Sequence, residues 1–308
     1  MTFTTAIDNL YVPYQPKLSA ETIAKLKSMV MIWTSFNKNI SDNGKAILDV
    51  QLFEQRSLAT LKSFPKVFDL LSCALDKSWT ELPTFLFNCE HPMDIEEKQL
   101  FKVVQFVLTD FAGKNGLLGF EWCQTIPQSH IQSMMDTDVW KLGSSRNVDD
   151  LGYNPYHEDL FVLEASSGPH KEDITHTKDD TLKNVHSSIS LLNVLVRKFQ
   201  DGRFSTARNL RTFSVQSVCS TITLCSTSLD PDNIGGYIHE ELRFADIPMT
   251  YNDRYKWLKV FEIVAKLVGM LRKQTMVYQQ LHNEHTGAVP VDEMESIKLL
   301  FSTKIPLH

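Results

Sequence analysis

Residues 205–228 read STARNLRTFSVQSVCSTITLCSTS, and the fold class turns on whether they form a helix or strands. The stretch is rich in Thr, Ser and Val, whose branched or polar side chains weaken a helix without forbidding it. Helical and strand readings of 212–227 are nearly balanced on composition. The expectation is a helix, with Arg208 and Arg211 on its exposed side.

The chain on either side is helical in pattern. Upstream, DTLKNVHSSISLLNVLVRKFQDG (180–202) places Leu182, Val185, Ile189, Leu192, Val196 and Phe199 on one face, with Asp179 or Asp180 as cap and Gly202 as stop. Downstream, NDRYKWLKVFEIVAKLVGMLRKQTMVYQQLH (252–282) is apolar nearly all round its first half, as a central helix would be. LSAETIAKLKSMVMIWTSF (18–36) sets Ile23, Leu26, Met29, Val30 and Trp33 at helical spacing after Ser19. In MDIEEKQLFKVVQFVLTDFAG (93–113), Asp94 and Glu97 form a capping box ahead of an apolar stripe. VDEMESIKLLF (291–301) repeats that signal with Asp292 and Glu295.

Between these lies KLGSSRNVDDLGYNPYHEDLFVLEASSGPHKEDITHTKDD (141–180), with a single apolar island, LFVLEA. A segment of this length without a pattern usually marks a functional loop or a linker. The chain is therefore expected to be mainly α: a multi-helix globular bundle, as one body or as two helical halves joined by an acidic irregular segment. The regions are 1–140 (helical), 141–180 (acidic linker) and 181–308 (helical, with the long central helix). Only 12 Gly and 12 Pro in 308 residues speak against an all-β fold with its many tight turns.

Charge is unevenly spread. Net charge is −6, too acidic for a polycation, but residues 136–180 hold eleven Asp/Glu against four Lys/Arg. Residues 181–281 hold thirteen Lys/Arg against eight Asp/Glu. Within the basic part, Arg197, Lys198, Arg203, Arg208 and Arg211 cluster with Phe199 and Phe204 between them. Cations near a helix C-terminus are stabilised by its dipole; the functional reading is an anion surface, most naturally a phosphate backbone such as RNA or single-stranded nucleic acid.

Two histidines and four carboxylates in GPHKEDITHTKDD (168–180) raise a metal alternative. His170 and His176 are six apart in a polar segment, so a shell would need His157 and His186 as well, from a loop that folds back. The plainer reading is an acidic loop leading into a helix N-terminus. In YIHEELRF, His239-Glu240 begins the zinc-protease motif, but Arg243 stands where its second His belongs. His282 and His285 alone are a weak pair. No G-x-S-x-G, Walker loop or G-x-G-x-x-G occurs, so no catalytic residue and no cofactor is implied.

Five cysteines without C-x-x-C read as buried thiols of a reducing compartment, and the start of the chain lacks the pattern of a secretion signal. No apolar run is long enough to span a bilayer. The reading is a soluble, intracellular protein, cytoplasmic or nuclear, that works without membrane contact as an interaction or assembly subunit. Its partners are itself, as a homo-oligomer, or another protein, with a coat- or nucleoprotein-like variant facing nucleic acid. The competing class is a helical enzyme with a metal or acid/base site in 157–186.

Overall fold

The computed structural model describes residues 53–78, 81, 84–85, 93–109, 119–125, 127, 135–136, 141–142, 148–154, 158–166 and 174–302. The helix read at 18–36, together with His157 and His170, lies outside them.

A helical bundle is not what the chain forms. Its centre is a mixed six-stranded sheet. The strands are β1 (Gly119–Thr125), β4 (Val148–Tyr153), β5 (Asp159–Ser166), β6 (Thr212–Val218), β7 (Thr221–Leu229) and β8 (Tyr237–Asp246), side by side in that order. Two short strands, β2 (Met135–Asp136) and β3 (Lys141–Leu142), pair separately. All neighbours in the large sheet are antiparallel except β5 and β6. The segment read as an irregular acidic linker thus contributes β4 and β5 to the sheet.

The stretch 205–228 folds as α5 (Phe204–Ala207) followed by the β6–β7 hairpin. Its register runs from Thr212↔Thr227 to Val218↔Thr221, leaving Cys219-Ser220 as a two-residue loop. Cys219 takes φ 53°, a left-handed conformation that hairpin turns usually give to Gly or Asn. A Cys-Ser turn carries no composition signal, so two strands joined without punctuation resemble one helix. Alternation decides the matter, since every second side chain has a different neighbour. Thr212 and Gln216 bond to one helix layer, whereas Phe213 and Val215 join the apolar clusters.

The parallel pair β5–β6 needs a crossover, and α4 (Ile174–Lys198) supplies it. This helix begins five residues before Asp179, so that residue and Asp180 lie within it rather than cap it. It covers one face of the sheet. Ser166 Oγ donates to Asp180 (2.8 Å) and Thr212 Oγ1 to Ser188 O (2.8 Å).

The long helix α6 (Trp257–His285) covers the other face. There Val215, Leu224, Leu242 and Ala245 pack on Val260, Ile263 and Leu267. A second side of α6, with Phe261, Ala265 and Val268, meets α1 (Ala59–Lys62), α2 (Pro65–Leu75) and α3 (Ile95–Thr109). Further along, Leu271, Tyr278 and Leu281 join the core that contains Phe199 and Phe213. The central-helix reading of this segment holds. A 3-10 turn (Glu293–Glu295) and α7 (Ile297–Ser302) follow.

The capping box at α3 forms as read: Glu97 N donates to Asp94 Oδ1 (2.7 Å) and Asp94 N to Glu97 Oε2 (3.3 Å). Asp292 accepts from Met294 N (2.9 Å), but Glu295 reaches Arg203 instead of closing a box.

One buried ion pair joins three layers. Arg243 on β8 and Glu262 on α6 are both sealed from solvent, with Arg243 Nε 3.4 Å from Glu262 Oε1. Arg243 Nη2 meets Glu54 at 2.8 Å and Nη1 donates to Leu242 O at 2.8 Å. A bulge between the Leu224 and Cys225 pairings lets Leu242 and Arg243 both serve the α6 side. The Glu262 carboxylate also accepts from Leu61 N (2.6 Å) and Thr60 N (3.2 Å), the free amides at the start of α1. The N-cap of that helix, Leu58, sits at φ 55° and has no capping side chain, so Glu262 takes that role from another helix.

Removing one partner strands the other charge. Arg243→Met is expected to cost about 3–5 kcal/mol in urea unfolding, as usual for a broken buried pair. The double variant with Glu262→Gln should lose less than the sum of the single changes. A loss below about 0.5 kcal/mol for Arg243→Met, the range of ordinary surface substitutions, would show that the pair is not a keystone.

Candidate functional site

The five cations read as an anion surface are dispersed in role. Lys198, near the end of α4, pairs with Glu158, which also accepts from Tyr278 Oη. Arg203 Nε bonds Glu295 at 3.0 Å and its Nη1 lies 3.9 Å from the buried Glu284. Arg211 Nη1 donates to Arg208 O (3.3 Å) and Leu210 O (3.4 Å). Burial holds the Arg211 guanidinium below its usual range, with the Glu240 charge acting against that. Arg197 and Arg208 are partly exposed and have no acidic partner among the described residues.

Three other cations of 181–281 are also paired. Lys183 meets Asp180 (2.6 Å) and Glu164 (3.7 Å), Arg243 meets Glu54 (2.8 Å), and Arg272 meets Glu96 (2.9 Å). Those acids, like Glu158 and Glu295, lie outside 181–281. Tertiary contacts thus offset much of the charge asymmetry along the chain.

The histidine group does not assemble among the described residues. His176 belongs to α4 with its side chain outside the described set, and His186 is partly buried on the same helix. No three His, Cys, Asp or Glu side chains among the described residues are placed to hold a metal ion. His239 and Glu240 lie on β8, where neighbours alternate across the sheet, so even a His at 243 could not build the helical zinc motif. His285 Nδ1 accepts from Asp201 N at 3.3 Å, and His282 is exposed.

Within 157–186 the structure gathers a different set. At the ends of β5 and β6, Ser166 donates to Asp180, Lys183 bonds Asp180 and approaches Glu164, and Gln216 Nε2 donates to Thr181 Oγ1 (2.8 Å) and Thr177 O (3.2 Å). Burial alone would pull the Lys183 ammonium down. Its bond to Asp180 and the charges of Glu164, Asp180 and Asp179 outweigh that and hold it above its usual value. A lysine kept charged is neither base nor nucleophile. Ser166, Asp180 and Glu164 are at most 1% exposed, so no substrate reaches them in this state. The cluster fastens α4 to the sheet.

The most accessible organised surface lies where β8 leads into α6. In the 3-10 turn Tyr251–Lys256, the Arg254 guanidinium sits 4.4 Å from the Tyr251 ring and 4.6 Å from the Tyr255 ring. Arg254 Nε donates to Leu75 O (2.7 Å), Tyr251 Oη to Lys77 O (3.2 Å), and Tyr255 Oη to Asp76. The turn is clamped to the C-terminal end of α2, a favoured place for a cation. In the turn Tyr255 is 49% exposed; before it Met249 is 64% exposed and Phe244, on β8, 42%. Gln55 Nε2 donates to Phe244 O (2.8 Å), which brings the helical residues 53–57, with the exposed Phe53, beside β8.

No protein-family model, curated protein or solved structure matches this chain.

Sequence reading missed Arg243, Glu262, Glu158 and Glu284 as organising groups. Glu262 left a trace, since it is a lone charge inside the apolar run VFEIVA. The others look like ordinary surface charges until their partners, 19 to 189 residues away, are known.

His239 supplies a pH test of the β8 face toward α4. It is buried against Thr227 Oγ1 (2.8 Å), and burial pulls its pKa down to about 4 from 6.5. The folded state then binds fewer protons than the unfolded one between those values, so stability present above pH 6.5 is lost as pH falls toward 4. The loss from this group is on the order of 3 kcal/mol. His239→Gln should flatten that part of the pH–stability curve; an unchanged slope would place the titration elsewhere.

Proposed function

We propose that this protein works by contact, as an interaction or assembly subunit, rather than by catalysis. The carrying observation is that Phe53, Phe244, Met249 and Tyr255, in the elements around the β8–α6 junction, are each exposed. Aromatic and Met side chains held on a rigid frame are the groups that interfaces enrich, and exposed apolar clusters mark binding surfaces. The anchoring of this surface to α2 through Arg254 keeps it preformed, so binding would cost little ordering.

The partner this surface fits is a protein, either a second copy of the chain or another chain. Three of the five cations in the proposed basic face already hold internal partners, which leaves Arg197 and Arg208 for a nucleic-acid-facing variant. We place the protein in the cytoplasm or nucleus. Cys73, Cys219 and Cys225 are free thiols, with Cys73 exposed, as suits a reducing compartment. No helix among the described residues is long and apolar enough to cross a membrane.

Light scattering on the purified chain over a range of concentrations tests the reading. The wild type is expected to form a defined oligomer that Phe244→Asp with Met249→Asp dissociates without loss of helix or sheet signal. A monomer at every concentration would remove self-association and leave the second-protein reading. Retention of single-stranded RNA at low salt, lost on changing Arg197 and Arg208 to Gln, would favour the nucleic-acid variant instead.

A further inference from the structure

The two halves of α4 are held to the sheet by different chemistry. From Ile189 onward, Leu191, Leu192, Leu195, Val196 and Phe199 are buried in apolar clusters. Before it, Leu182 and Val185 join the larger of these clusters, but the side toward β5 and β6 is mostly polar. Thr177, Asp180, Thr181, Asn184 and Ser188 face Ser166, Thr212 and Gln216.

That polar layer is incompletely satisfied. Thr177 Oγ1, Asn184 Oδ1, Ser187 Oγ and Ser188 Oγ are buried without a hydrogen-bond partner from the protein, and all four belong to this half of α4. Asn184, Ser187 and Ser188 are at most 3% exposed. Buried polar groups in folded proteins are nearly always bonded, and an unmet one destabilises the state that buries it.

We propose that residues 174–188 of α4 form a releasable strap over the β5–β6 pair, hinged near Ile189, where the polar run on the side facing β5 and β6 ends and Leu191 packs on Val162. On release the four unmet oxygens gain water. The Lys183–Asp180 pair, being within the helix, travels with the strap. The bonds given up include Ser166 to Asp180, Gln216 to Thr181 and Thr177 O, Thr212 to Ser188 O, a long one of 3.4 Å from Asn184 to Val215 O, and the 3.7 Å ion pair of Lys183 with Glu164. Leu182 and Val185, both buried, oppose release and keep the open form a minor one. Opening uncovers Glu164, Ser166 and Gln216, a polar strip on the central strands that is sealed when the strap is down. This device is independent of the contact surface proposed above.

Amide hydrogen exchange on the full chain, at several denaturant concentrations below the unfolding transition, tests it. Amides of 178–188 are expected to share one opening equilibrium, roughly 100-fold more open than that of 190–198, with a step at the hinge. Ser187→Ala with Ser188→Ala, which removes two unmet hydroxyls, should lower opening across the whole plateau by about 10-fold. Uniform protection along α4 would overturn the proposal. So would a smooth residue-by-residue gradient, which is end fraying, or increased opening in the Ala variant. Should that variant not fold, the plateau or its absence in the wild type decides alone.

Discussion

Arg243 and Glu262 form the contact on which the arrangement of layers depends. A guanidinium and a carboxylate with no solvent exposure are tolerable only when each finds nearly all its partners inside the protein. Arg243 finds them on its own strand, on α6 and at Glu54; Glu262 finds them in Arg243 and the open amides of α1. The pair therefore admits one relative placement of the edge strand, the central helix and the first described helices. Apolar packing around Val260 and Phe261 supplies attraction but would accept small shifts. The charges set the register.

The same device recurs at lower burial. Glu284 on α6 accepts from Arg203 N and Thr206 Oγ1 at the start of α5, and Glu97 accepts from Lys66 N at the start of α2. In each case a carboxylate from another helix meets free amides that no local side chain caps, a placement that the helix dipole favours. Glu158 does related work at the β4–β5 turn, where it holds Lys198 and Tyr278. Carboxylates serve as the joints of this fold, and the cations they hold are correspondingly less free to bind anything else.

That accounting bears on function. Acidic groups scattered from Glu54 to Glu295 reach back to the basic segment, so a charge excess visible along the chain does not become an equal excess on the surface. The Ser166, Asp180 and Lys183 group has the composition of a reactive site and the burial of a structural one. What stays exposed and organised is apolar and aromatic, carried by the turn that joins the last strand to the longest helix. A contact role follows more naturally from that surface than an enzymatic one.

Local signals were legible wherever one face or one turn carried the information. The 3.6-residue periodicity of α6 and of most of α4, and the Asp94–Glu97 box, could be read from neighbouring residues because helical bonds and caps span only a few positions. The sheet could not. Cys219-Ser220 closes a hairpin without turn residues, and the α4-facing side of β5 and β6 mixes Val162 with Glu164, Ser166, Thr212, Ser214 and Gln216, so no regular apolar alternation marks it. β4 and β5 looked like an acidic linker because Asp149, Glu158 and Glu164 find their partners across the fold. The sequence by itself determined α3, α6 and most of α4, since their bonds are local. Only the tertiary structure decided the strands and the destination of each charge, because a strand is stabilised by a neighbour far along the chain and a buried ion by a partner the sequence does not point to.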